Sequence, residues 1–590
     1  MKPKVEYHKF DVLVLGAGGA GLNAAQVASK YCKTAVISKV YPTRSHTISA
    51  QGGVSAALGN VEEDHWIWHM FDTIKGSDYL ADQDACEFMT KKAPEMIIEL
   101  EHIGVPFNRT PEGKIDQRPF GGHTAEFGKR PVKRACYVAD RTGHAILQTL
   151  YEKSIEQGTY FFNEFFVLDL IMIDGRPAGV LCFDMQNGEF HLFQTKAVIF
   201  ATGGSCRVYK TNSNAHINTG DGMAVAMRSG IAWSDAEFVQ FHPTGIYGAG
   251  NLITEAVRGE GGYLINSKGE RFMERYAPTI KDLAPRDIVS RSIAIEIMEG
   301  RGCGEKKDHV LLKIDHIGAD KIMEKLPGIH ELALIFAGVD CTKEPIPVCP
   351  TAHYQNGGLP TNYLTHILDT SDGTNDKTIP GLFAAGECAS ASVHGANRLG
   401  TNSLLDLIVF GRTAGEEAAK FVEKEKFINI PDEKLDRGIK FLENILNSNG
   451  KHSYWEIYSE MIEVMERNVG VFRTEESLKK AYDKLTELQD KFDNIKINDK
   501  GRVYNLELIE AMELKNMLLC AKAITVGALN RKESRGGHYR DDYPERDDEN
   551  YLKHSEVFCD EDGREFEVKF RPVRLKPLTV ETFPPKPRVY

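Results

Sequence analysis

Closely spaced cysteines are missing from this chain. Its 590 residues include 11 cysteines, but no two of them form a CxxC pair or a ferredoxin-type run. Iron–sulfur clusters and zinc ribbons are held by closely spaced thiolates, so we expect neither in this chain and predict no metal site. The scattered cysteines are typical of buried free thiols.

Long hydrophobic runs and an excess of positive charge are also missing. The net charge is −12, which argues against a nucleic-acid partner because phosphate binding needs clustered Lys and Arg. No apolar run has the length of a membrane span. The first ten residues, MKPKVEYHKF, have neither the apolar core of a signal peptide nor an Arg/Ser-rich presequence, so the default compartment is the cytoplasm. With 42% hydrophobic and 26% charged residues, the composition is that of a globular protein large enough for several domains.

A glycine-rich loop between two apolar strands is the first positive signal. The apolar run 10–15 precedes the loop, a helical pattern follows it, and TAVISK then forms a second strand. Glycines at such a turn let a pyrophosphate approach the helix N-terminus closely, so this arrangement predicts a dinucleotide site. The residues concerned are Gly16, Ala17, Gly18, Gly19, Ala20 and Gly21.

The end of that second strand departs from the usual dinucleotide pattern. An acidic residue normally holds the ribose hydroxyls there, but this chain has Ser38-Lys39. This makes ordinary NAD recognition less favoured, although Ser38 can still hydrogen-bond to a ribose. No second glycine fingerprint for a nicotinamide is present; Gly203-Gly204 follows another apolar strand.

A late segment returns to the same type of structure. It combines an apolar strand, the carboxylate of Glu387 and a long helix predicted to begin near Asn402-Ser403. The N-terminus of such a helix could face a flavin ring and stabilise its anionic reduced form. The dinucleotide-binding domain is therefore predicted to be discontinuous, with an insertion between its two parts.

The tetrapeptide Ser45-His46-Thr47-Ile48, within RSHTISAQGG, lies shortly after the first glycine loop. Together with it, several long motifs resemble those of the flavoprotein subunits of succinate dehydrogenase and fumarate reductase. They follow that family's order from residue 11 to about 548: GAGGAG, RSHTISAQGG, NTGDGMA, FHPTG, LITEAVRGEGG, APRDIVSR, PTAHYQNGG, AGECA, HGANRLGTNSLL and SRGGHYRDDYPERDD.

The resemblance implies a bound FAD that is covalently attached to His46. It further implies that FAD contacts the glycine loop, Asp221, and other residues in the first and second parts of its domain. These are Ser38, Lys39, Ser45, Thr47, Gln51, Gly52, Gly53, Glu387, Ser403 and Leu404.

The inserted part carries many polar groups on loops rich in Gly and Pro, where ligand-binding groups concentrate. A dicarboxylate needs two separated anion-binding ends, and two His with two Arg could supply the donors for both. His242 and Thr254 would hold one carboxylate, and His353 and Arg398 the other, with Gly52 nearby. By resemblance, Arg286 exchanges the proton, supplied through Glu255 and Arg258.

Each of these residues also has a purely structural interpretation. His242, which precedes a proline, could be a core histidine, and Arg286-Asp287 could form a local ion pair. Glu255 and Arg258, three residues apart, could pair on a helix surface and contribute only a few tenths of a kcal/mol. Taken together, and in the family's order, we favour the functional interpretation.

The predicted fold class is α/β: a Rossmann-like FAD-binding domain with an inserted α+β capping domain that closes over the flavin, a C-terminal helical domain and a small C-terminal domain. The expected boundaries are 1–238 and 354–428 for the FAD-binding domain, 239–353 for the capping domain, 429–534 for the helical domain and 535–590 for the tail. In the tail, EVFCDEDGREFEVKFRPV predicts a hairpin, and the many charges predict a solvated or partner-facing surface.

The predicted function is interconversion of succinate and fumarate. Because the chain has no thiolate cluster to relay electrons, the resemblance implies an iron–sulfur subunit as partner, then membrane anchor subunits and a quinone, with this chain peripheral on the cytoplasmic side of the membrane. Three alternatives remain: an L-aspartate oxidase, which lacks the covalent flavin; a soluble fumarate reductase, which normally has its own electron-donor domain; and a non-catalytic flavin-binding scaffold. The sequence does not determine the working direction.

Overall fold

A computed structural model describes residues 4–588. Its central sheet has six strands in the order β18-β19-β11-β2-β3-β7; five run parallel, and β18 is an antiparallel edge. The first part of the chain, through residue 234, forms β1 Val5–Lys9, β2 Val12–Leu15, α1 Gly19–Ala28, β3 Thr34–Ser38, β4 Val54–Ser55, α2 Trp66–Gly76, α3 Gln83–His102, β5 Gln117–Ala125, β6 Arg130–Cys136, α4 Thr142–Glu156, β7 Tyr160–Asn163, β8 Phe165–Ile173, β9 Arg176–Asp184, β10 Glu189–Gln194, β11 Ala197–Phe200, α5 Asp221–Arg228 and β12 Trp233–Ser234.

The middle of the chain carries a separate antiparallel sheet in the order β13-β16-β15-β14, followed by a return to the central sheet. Its elements are β13 Val239–Ile246, α6 Ala256–Gly259, β14 Tyr263–Ile265, α7 Met273–Tyr276, α8 Arg286–Met298, β15 Val310–Lys313, α9 Ala319–Lys325, α10 Pro327–Leu332 and β16 Ile346–Gln355. The returning segment forms β17 Leu359–Pro360, β18 His366–Leu368, β19 Thr378–Ala384, β20 Ala389–Ser390 and α11 Asn402–Val422.

The remaining chain is helical and ends in a hairpin. The helices are α12 Asp436–Leu446, α13 Tyr454–Asn468, α14 Glu475–Asp493, α15 Leu506–Asn530 and α16 Asp548–Tyr551. The strands β21 Lys553–Cys559 and β22 Phe566–Pro572 pair antiparallel, as the tail sequence predicts, and β21 also pairs with β12. The predicted α/β fold class is confirmed. The first and last predicted domains extend to residues 1–3 and 589–590, which lie outside the described residues.

The β2–α1–β3 unit is built as the glycine pattern predicts. Gly16 has φ +103°, and a Cβ there would lie 2.2 Å from the carbonyl oxygen of Ala201, so only glycine lets β2 and β11 sit this close. The predicted first strand begins two residues late, at Val12, because residues 5–9 form β1 in a different sheet. All cysteines are free, and eight of the 11 are buried; Cys32, Cys349 and Cys559 are half-buried.

The predicted charged surface of the tail is wrong for some of its arginines. Arg540 and Arg571 are fully buried, as is Arg531 just before the tail, and each is paired with carboxylates. Arg531 Nε, for example, donates to Glu237 Oε1 at 2.5 Å. A buried cation is tolerated when its charge is paired and its donors are used, so these arginines join the tail to the body of the protein. Asp541, Asp542 and Glu545 of the tail are exposed, as predicted, whereas Asp547 and Asp548 are half-buried.

His554 on β21 sits between two carboxylates in this network. Its Nδ1 is 2.6 Å from Asp235 Oδ2, and its Nε2 is 3.1 Å from Asp82 Oδ1. Burial, and the nearby Arg571 cation, lower the pKa of His554, but the two carboxylates outweigh them and raise it from 6.5 to about 9. The imidazolium therefore stabilises the folded state below pH 6.5, and this contribution is lost as pH rises through about 9.

We expect His554→Gln to lower the free energy of unfolding by about 3 kcal/mol at pH 6, because it removes the nearest cation from two buried carboxylates, whose other partners, Arg571 and Arg531, lie 3.4 and 3.7 Å away. The difference from the parent protein should shrink between pH 6.5 and 9. The measurement is the denaturation midpoint across that pH range. His452→Gln, at a partly exposed histidine with a single glutamate partner, is the control; a His554→Gln effect that did not depend on pH would contradict the role of the charge.

Candidate active site

A cavity of about 420 Å³ lies where the carboxyl ends of β2, β3 and β11 meet the inserted sheet. Open α/β sheets bind ligands at this edge, and the volume is in the range of cofactor and ligand sites. Most of the predicted cofactor residues line it: Gly16, Ala17, Gly18, Gly19, Ala20, Ser38, Lys39, Ser45, His46, Thr47, Gln51, Gly52, Gly53, Asp221, Glu387, Ser403 and Leu404. Gly21 does not; it lies inside α1, where a Cβ would be 2.0 Å from the Gly16 carbonyl oxygen.

The glycine loop meets the histidine segment at the start of α1. The Gly19 amide donates to Thr47 Oγ1 at 3.0 Å, which fixes the 3₁₀ turn His46–Ser49 against the helix N-terminus. A Cβ at Gly18 would have only one neighbouring atom within 4 Å, Thr47 Oγ1 at 3.4 Å. The loop surface that faces the cavity is therefore open. This is the arrangement that brings a pyrophosphate to backbone amides.

The acidic group missing from the end of β3 comes from another element. Asp221, the first residue of α5, receives a hydrogen bond from Lys39 Nζ at 2.7 Å and lines the same cavity. Lys39 also donates to Thr219 Oγ1 at 2.8 Å and pairs with Glu513. The two carboxylates raise the pKa of Lys39 although burial opposes this. Lys39 is therefore a cation that holds Asp221 in the cavity near the end of β3.

His46 is oriented by the backbone of residue 215. The Ala215 amide donates to His46 Nδ1 at 3.2 Å, which leaves Nε2 as the ring nitrogen without a hydrogen bond to the described chain. Burial lowers the pKa of His46 to about 4, so the ring is neutral at physiological pH. A neutral imidazole with one nitrogen occupied has its other nitrogen available for a ligand.

The predicted dicarboxylate residues come together at the other side of the cavity. His242 on β13 and His353 on β16 are neighbours across the inserted sheet, with ring centroids 5.1 Å apart. The Thr244 amide donates to His242 Nδ1 at 3.2 Å, while His242 Nε2 is buried and has no hydrogen-bond partner among the described residues. Burial and the cation of Arg286 lower the pKa of both histidines well below its usual range, so both are neutral.

Two arginines at this end share one acceptor. Gln240 Oε1 accepts hydrogen bonds from Arg286 Nη1 at 2.9 Å and from Arg398 Nη2 at 3.2 Å. Arg398 lies over the ring of Tyr354, with Cζ 4.2 Å from its centroid, and its Nε is buried without a hydrogen-bond partner in residues 4–588. Burial and the charge of Arg286 lower the pKa of Arg398 to about 9. Two cations held this close create a site that a dianion would stabilise.

Glu255 and Arg258 lie behind this wall and do not line the cavity. Glu255 Oε2 accepts from Arg286 Nε at 2.8 Å, and Arg258 Nη2 is 3.9 Å from Glu255 Oε1. Both side chains are buried, so the interpretation as an exposed helix-surface pair is wrong. Arg286 is bonded to Glu255, whereas Asp287 pairs with Arg291 and Arg588, so the proposed local pair Arg286-Asp287 is wrong as well.

Sequence reasoning missed Gln240. It lies two residues before His242 on β13. Because residues two apart on a strand point to the same face, the strand pattern could have placed Gln240 on the same face as His242. It also missed Phe120, Tyr354 and Thr202, which lie on the cavity wall. The Thr202 hydroxyl is buried without a hydrogen-bond partner in residues 4–588, like the Ser45 hydroxyl and the side-chain carbonyl of Gln51.

These residues fit a bound flavin dinucleotide. The open glycine loop, the carboxylate of Asp221 and several unpartnered polar atoms face one cavity next to the N-terminus of α11. Burial raises the pKa of Glu387 to about 7. The N-terminus of α11 supplies a partial positive charge there, which suits the anionic reduced flavin.

The fold and this cavity define an FAD-binding flavoprotein. Residues 11–404 match the family profile described as "FAD binding domain", and residues 458–590 match the one described as "Fumarate reductase flavoprotein C-term". The chain belongs to the family of succinate dehydrogenase and fumarate reductase flavoprotein subunits, and it is an oxidoreductase of that family.

Known relatives cover almost the whole chain. The succinate dehydrogenase flavoprotein subunit of Rickettsia conorii is 52% identical over 99% of both chains. The 8-methylmenaquinol:fumarate reductase flavoprotein subunit of Wolinella succinogenes is 44% identical over 94% of this chain and 89% of its own. A solved quinol–fumarate reductase with menaquinol molecules has a chain that matches with a TM-score of 0.91 and 38% identity, over 99% of this chain and 100% of that one.

We expect Gln240→Leu to lower kcat/KM by about 10- to 100-fold in both directions with FAD retained. The substitution removes the acceptor that spaces two guanidinium groups, and a small misplacement of such groups is costly. Steady-state kinetics and the flavin-to-protein absorbance ratio provide the measurement. Gln355→Leu, at a glutamine of the inserted sheet whose side-chain amide donates to the Ala236 carbonyl, is the matched control; unchanged kinetics for Gln240→Leu would contradict the role.

Proposed function

We propose that this chain is the catalytic flavoprotein subunit of a complex that interconverts succinate and fumarate, with FAD attached covalently through His46. The observation that carries this proposal is the shared Gln240 acceptor, which holds Arg286 and Arg398 beside His242 and His353 in the cavity of the glycine loop. Two cations and two neutral donors, in separate positions, match the two carboxylates of a four-carbon dicarboxylate.

His242 and Thr254 would hold one carboxylate of the substrate, and His353 and Arg398 the other, close to Gly52. His242 Nε2 and Arg398 Nε are the free donors that support these roles. A Cβ at Gly52 would be 3.6 Å from Thr254 Oγ1 and closer to Phe120, so a larger residue would narrow this end of the cavity. Bound FAD supplies the acceptor or donor of a hydride, and charge that develops on a carboxylate is stabilised by the fixed cations.

Arg286 is the proposed proton donor or acceptor. It lines the cavity, and its Nε bonds to Glu255 at 2.8 Å, with Arg258 following behind. Arg286 and Glu255 are hydrogen-bonded, and Arg258 Nη2 lies 3.9 Å beyond Glu255 Oε1, so the proposed relay points away from the cavity into the inserted part of the protein. Arg258 Nη1 donates to the carbonyl oxygen of Asp282, which holds the guanidinium in place.

The proposed site of the covalent bond is His46 Nε2. Its other ring nitrogen, Nδ1, accepts the Ala215 amide hydrogen bond, and a neutral ring substituted at Nε2 would keep this bond. Lys39, Asp221 and the glycine loop would hold the remainder of the cofactor.

The proposed partners are an iron–sulfur subunit, membrane anchor subunits and a quinone, with this chain on the cytoplasmic side of the membrane. Within residues 4–588 no group of His, Cys, Asp and Glu could hold a metal ion, and none of their helices has the length and apolar character of a membrane span. The proposed domain boundaries are those of the sequence, with the capping domain corresponding to 239–353.

The activity is tested by purifying the chain with its bound partners and assaying both directions, using succinate with an oxidised dye and fumarate with a reduced dye. Turnover of aspartate but not of succinate would instead identify an aspartate oxidase. Yellow fluorescence that stays with the protein after acid precipitation tests the covalent bond. No turnover in either direction by flavin-loaded complex would refute the proposal.

A further inference from the structure

A second cavity, of about 230 Å³, lies between α14, α15 and the turn that joins β21 to β22. It has no lining residue in common with the flavin cavity, so it is a separate site. Its wall consists of Arg228, Gln489, Phe492, Asp493, Lys515, Leu518, Leu519, Asp562 and Arg564.

Two cations in this wall lack a carboxylate. Arg228 is only 9% exposed; its Nη1 donates to Asn516 Oδ1 at 2.8 Å, and its Nη2 is buried with no hydrogen-bond partner in the described chain. Lys515 has no carboxylate oxygen within the 4.0 Å of an ion pair in residues 4–588. Both charges lie over the ring of Phe441, with Arg228 Cζ at 4.9 Å and Lys515 Nζ at 5.3 Å from its centroid.

The acidic residues of the wall do not neutralise these cations. Asp493 is paired with Arg564, whose other nitrogen bonds to Asp490 at 2.8 Å, and Asp562 is exposed at the mouth. Burial and the charge of Arg228 lower the pKa of Lys515, while Asp493 and Asp562 only partly oppose this. The cavity wall therefore holds two cations that repel each other and that have no ion-pair partner in residues 4–588, an arrangement that a bound anion would relieve.

The position of Arg228 is fixed by a hydrogen-bonded chain. Asn516 Oδ1 accepts from Arg228, and Asn516 Nδ2 donates to Asp221 Oδ1 at 2.7 Å. Asp221 in turn is bonded to Lys39 in the flavin cavity. The guanidinium is thus held in place before any ligand arrives, which lowers the entropic cost of binding.

We propose that this cavity binds a small oxyanion, a phosphate or a carboxylate group, between Arg228 and Lys515. An oxyanion offers several acceptor oxygens at once, so it can meet the free guanidinium nitrogen and the ammonium together. The mixed charge at the mouth, with Asp493 and Asp562 beside Arg564, favours a small ligand over a large polyanion.

The test is isothermal titration calorimetry with inorganic phosphate and, separately, with acetate, on the flavin-loaded protein. Saturating fumarate keeps the active site occupied, and sodium chloride keeps the ionic strength constant. At least one of the two anions should bind, and the tighter one identifies the group. We expect Lys515→Gln to weaken its binding by at least about 10-fold, since a charged hydrogen bond is lost.

Lys515→Arg should retain binding because it keeps the charge, and Lys480→Gln, at an exposed lysine of α14 paired only with Glu476, should bind like the parent. Binding of neither anion overturns the proposal, and so does equal binding by the parent and Lys515→Gln. Lys515→Arg also controls for misfolding. If this variant binds the anion and Lys515→Gln does not, the loss of binding results from the lost charge and not from a disturbed fold.

Discussion

Arg286→Gln is expected to reduce turnover by about 10³-fold or more, in both the succinate-oxidising and the fumarate-reducing direction, with FAD still bound. A positioned acid–base group contributes about 10²- to 10⁴-fold, and Arg286 also carries one of the two charges facing the substrate. Glutamine keeps the hydrogen-bonding capacity towards Glu255 and Gln240 but cannot deliver a proton. The measurement is the dye-linked assay in both directions together with the flavin content.

Two further variants make this experiment specific. Arg286→Lys keeps the charge and a transferable proton but loses the hydrogen bonds of Nε to Glu255 and of Nη1 to Gln240. Its turnover should therefore lie between that of the parent protein and that of Arg286→Gln. Arg275→Gln is the control for removing an arginine from the inserted part of the protein; this partly exposed arginine pairs with Glu270 and Glu296 outside the cavity. Substantial turnover by flavin-loaded Arg286→Gln would exclude Arg286 as the proton donor.

In Arg286→Gln, turnover should decrease to a similar extent in both directions. A proton added to the carbon skeleton during fumarate reduction is the proton removed during succinate oxidation, so one group serves both steps. A loss confined to one direction would indicate that Arg286 acts by binding one ligand better than the other. This differs from what we expect at His46, and the pair of experiments therefore separates proton transfer from flavin potential.

Local signals predicted the cofactor cavity well. The turn at Gly16 needs a positive φ and a close approach to Ala201, and only glycine meets both needs. The few residues of the turn are therefore enough to predict it. The long helix α11 begins at Asn402, as its apolar pattern predicts. Such features depend on the residues next to them in sequence, and a single chain is enough to reveal them.

Long-range pairing was not predictable in the same way. Arg571 belongs to the tail that was predicted to be a charged surface, and Arg531 lies just before that tail; their contacts with Glu556 and Glu237 go with their burial. Glu237 is 294 residues from Arg531, so no local pattern connects them. The strand period could have placed Gln240 on the face of His242, but its role depends on Arg286 and Arg398, which reach it from two other parts of the chain.

Lys39 illustrates both what the sequence could predict and what it could not. Its place at the end of β3 was predicted, and so was the absence of an acidic residue there. That Asp221 supplies the carboxylate, and that Lys39 holds it with Glu513 from α15, follows from the packing of three distant segments. The helical part of the chain therefore contributes to the flavin cavity, although its sequence indicates only structural support.

Removing the proposed covalent bond should affect the two directions of the reaction differently. His46→Ser is expected to retain FAD without a covalent link, because the glycine loop, Asp221 and the Gly19–Thr47 contact remain. Succinate oxidation should fall by about 100-fold or more, while fumarate reduction survives. For a two-electron couple, roughly 30 mV corresponds to a tenfold change in equilibrium, so a flavin potential lowered by about 60 mV is sufficient.

The physical reason is that taking a hydride from an unactivated carbon needs an oxidising flavin, whereas giving one to fumarate does not. The readouts are both dye-linked activities, the flavin potential from spectroelectrochemical titration, and fluorescence in the acid-precipitated protein. His216→Ser is a matched control, since this exposed histidine adjoins the Ala215 amide that orients His46. It should keep covalent flavin and both activities. Equal loss of the two activities in flavin-loaded His46→Ser would show that His46 positions the ring or the substrate instead of setting the potential.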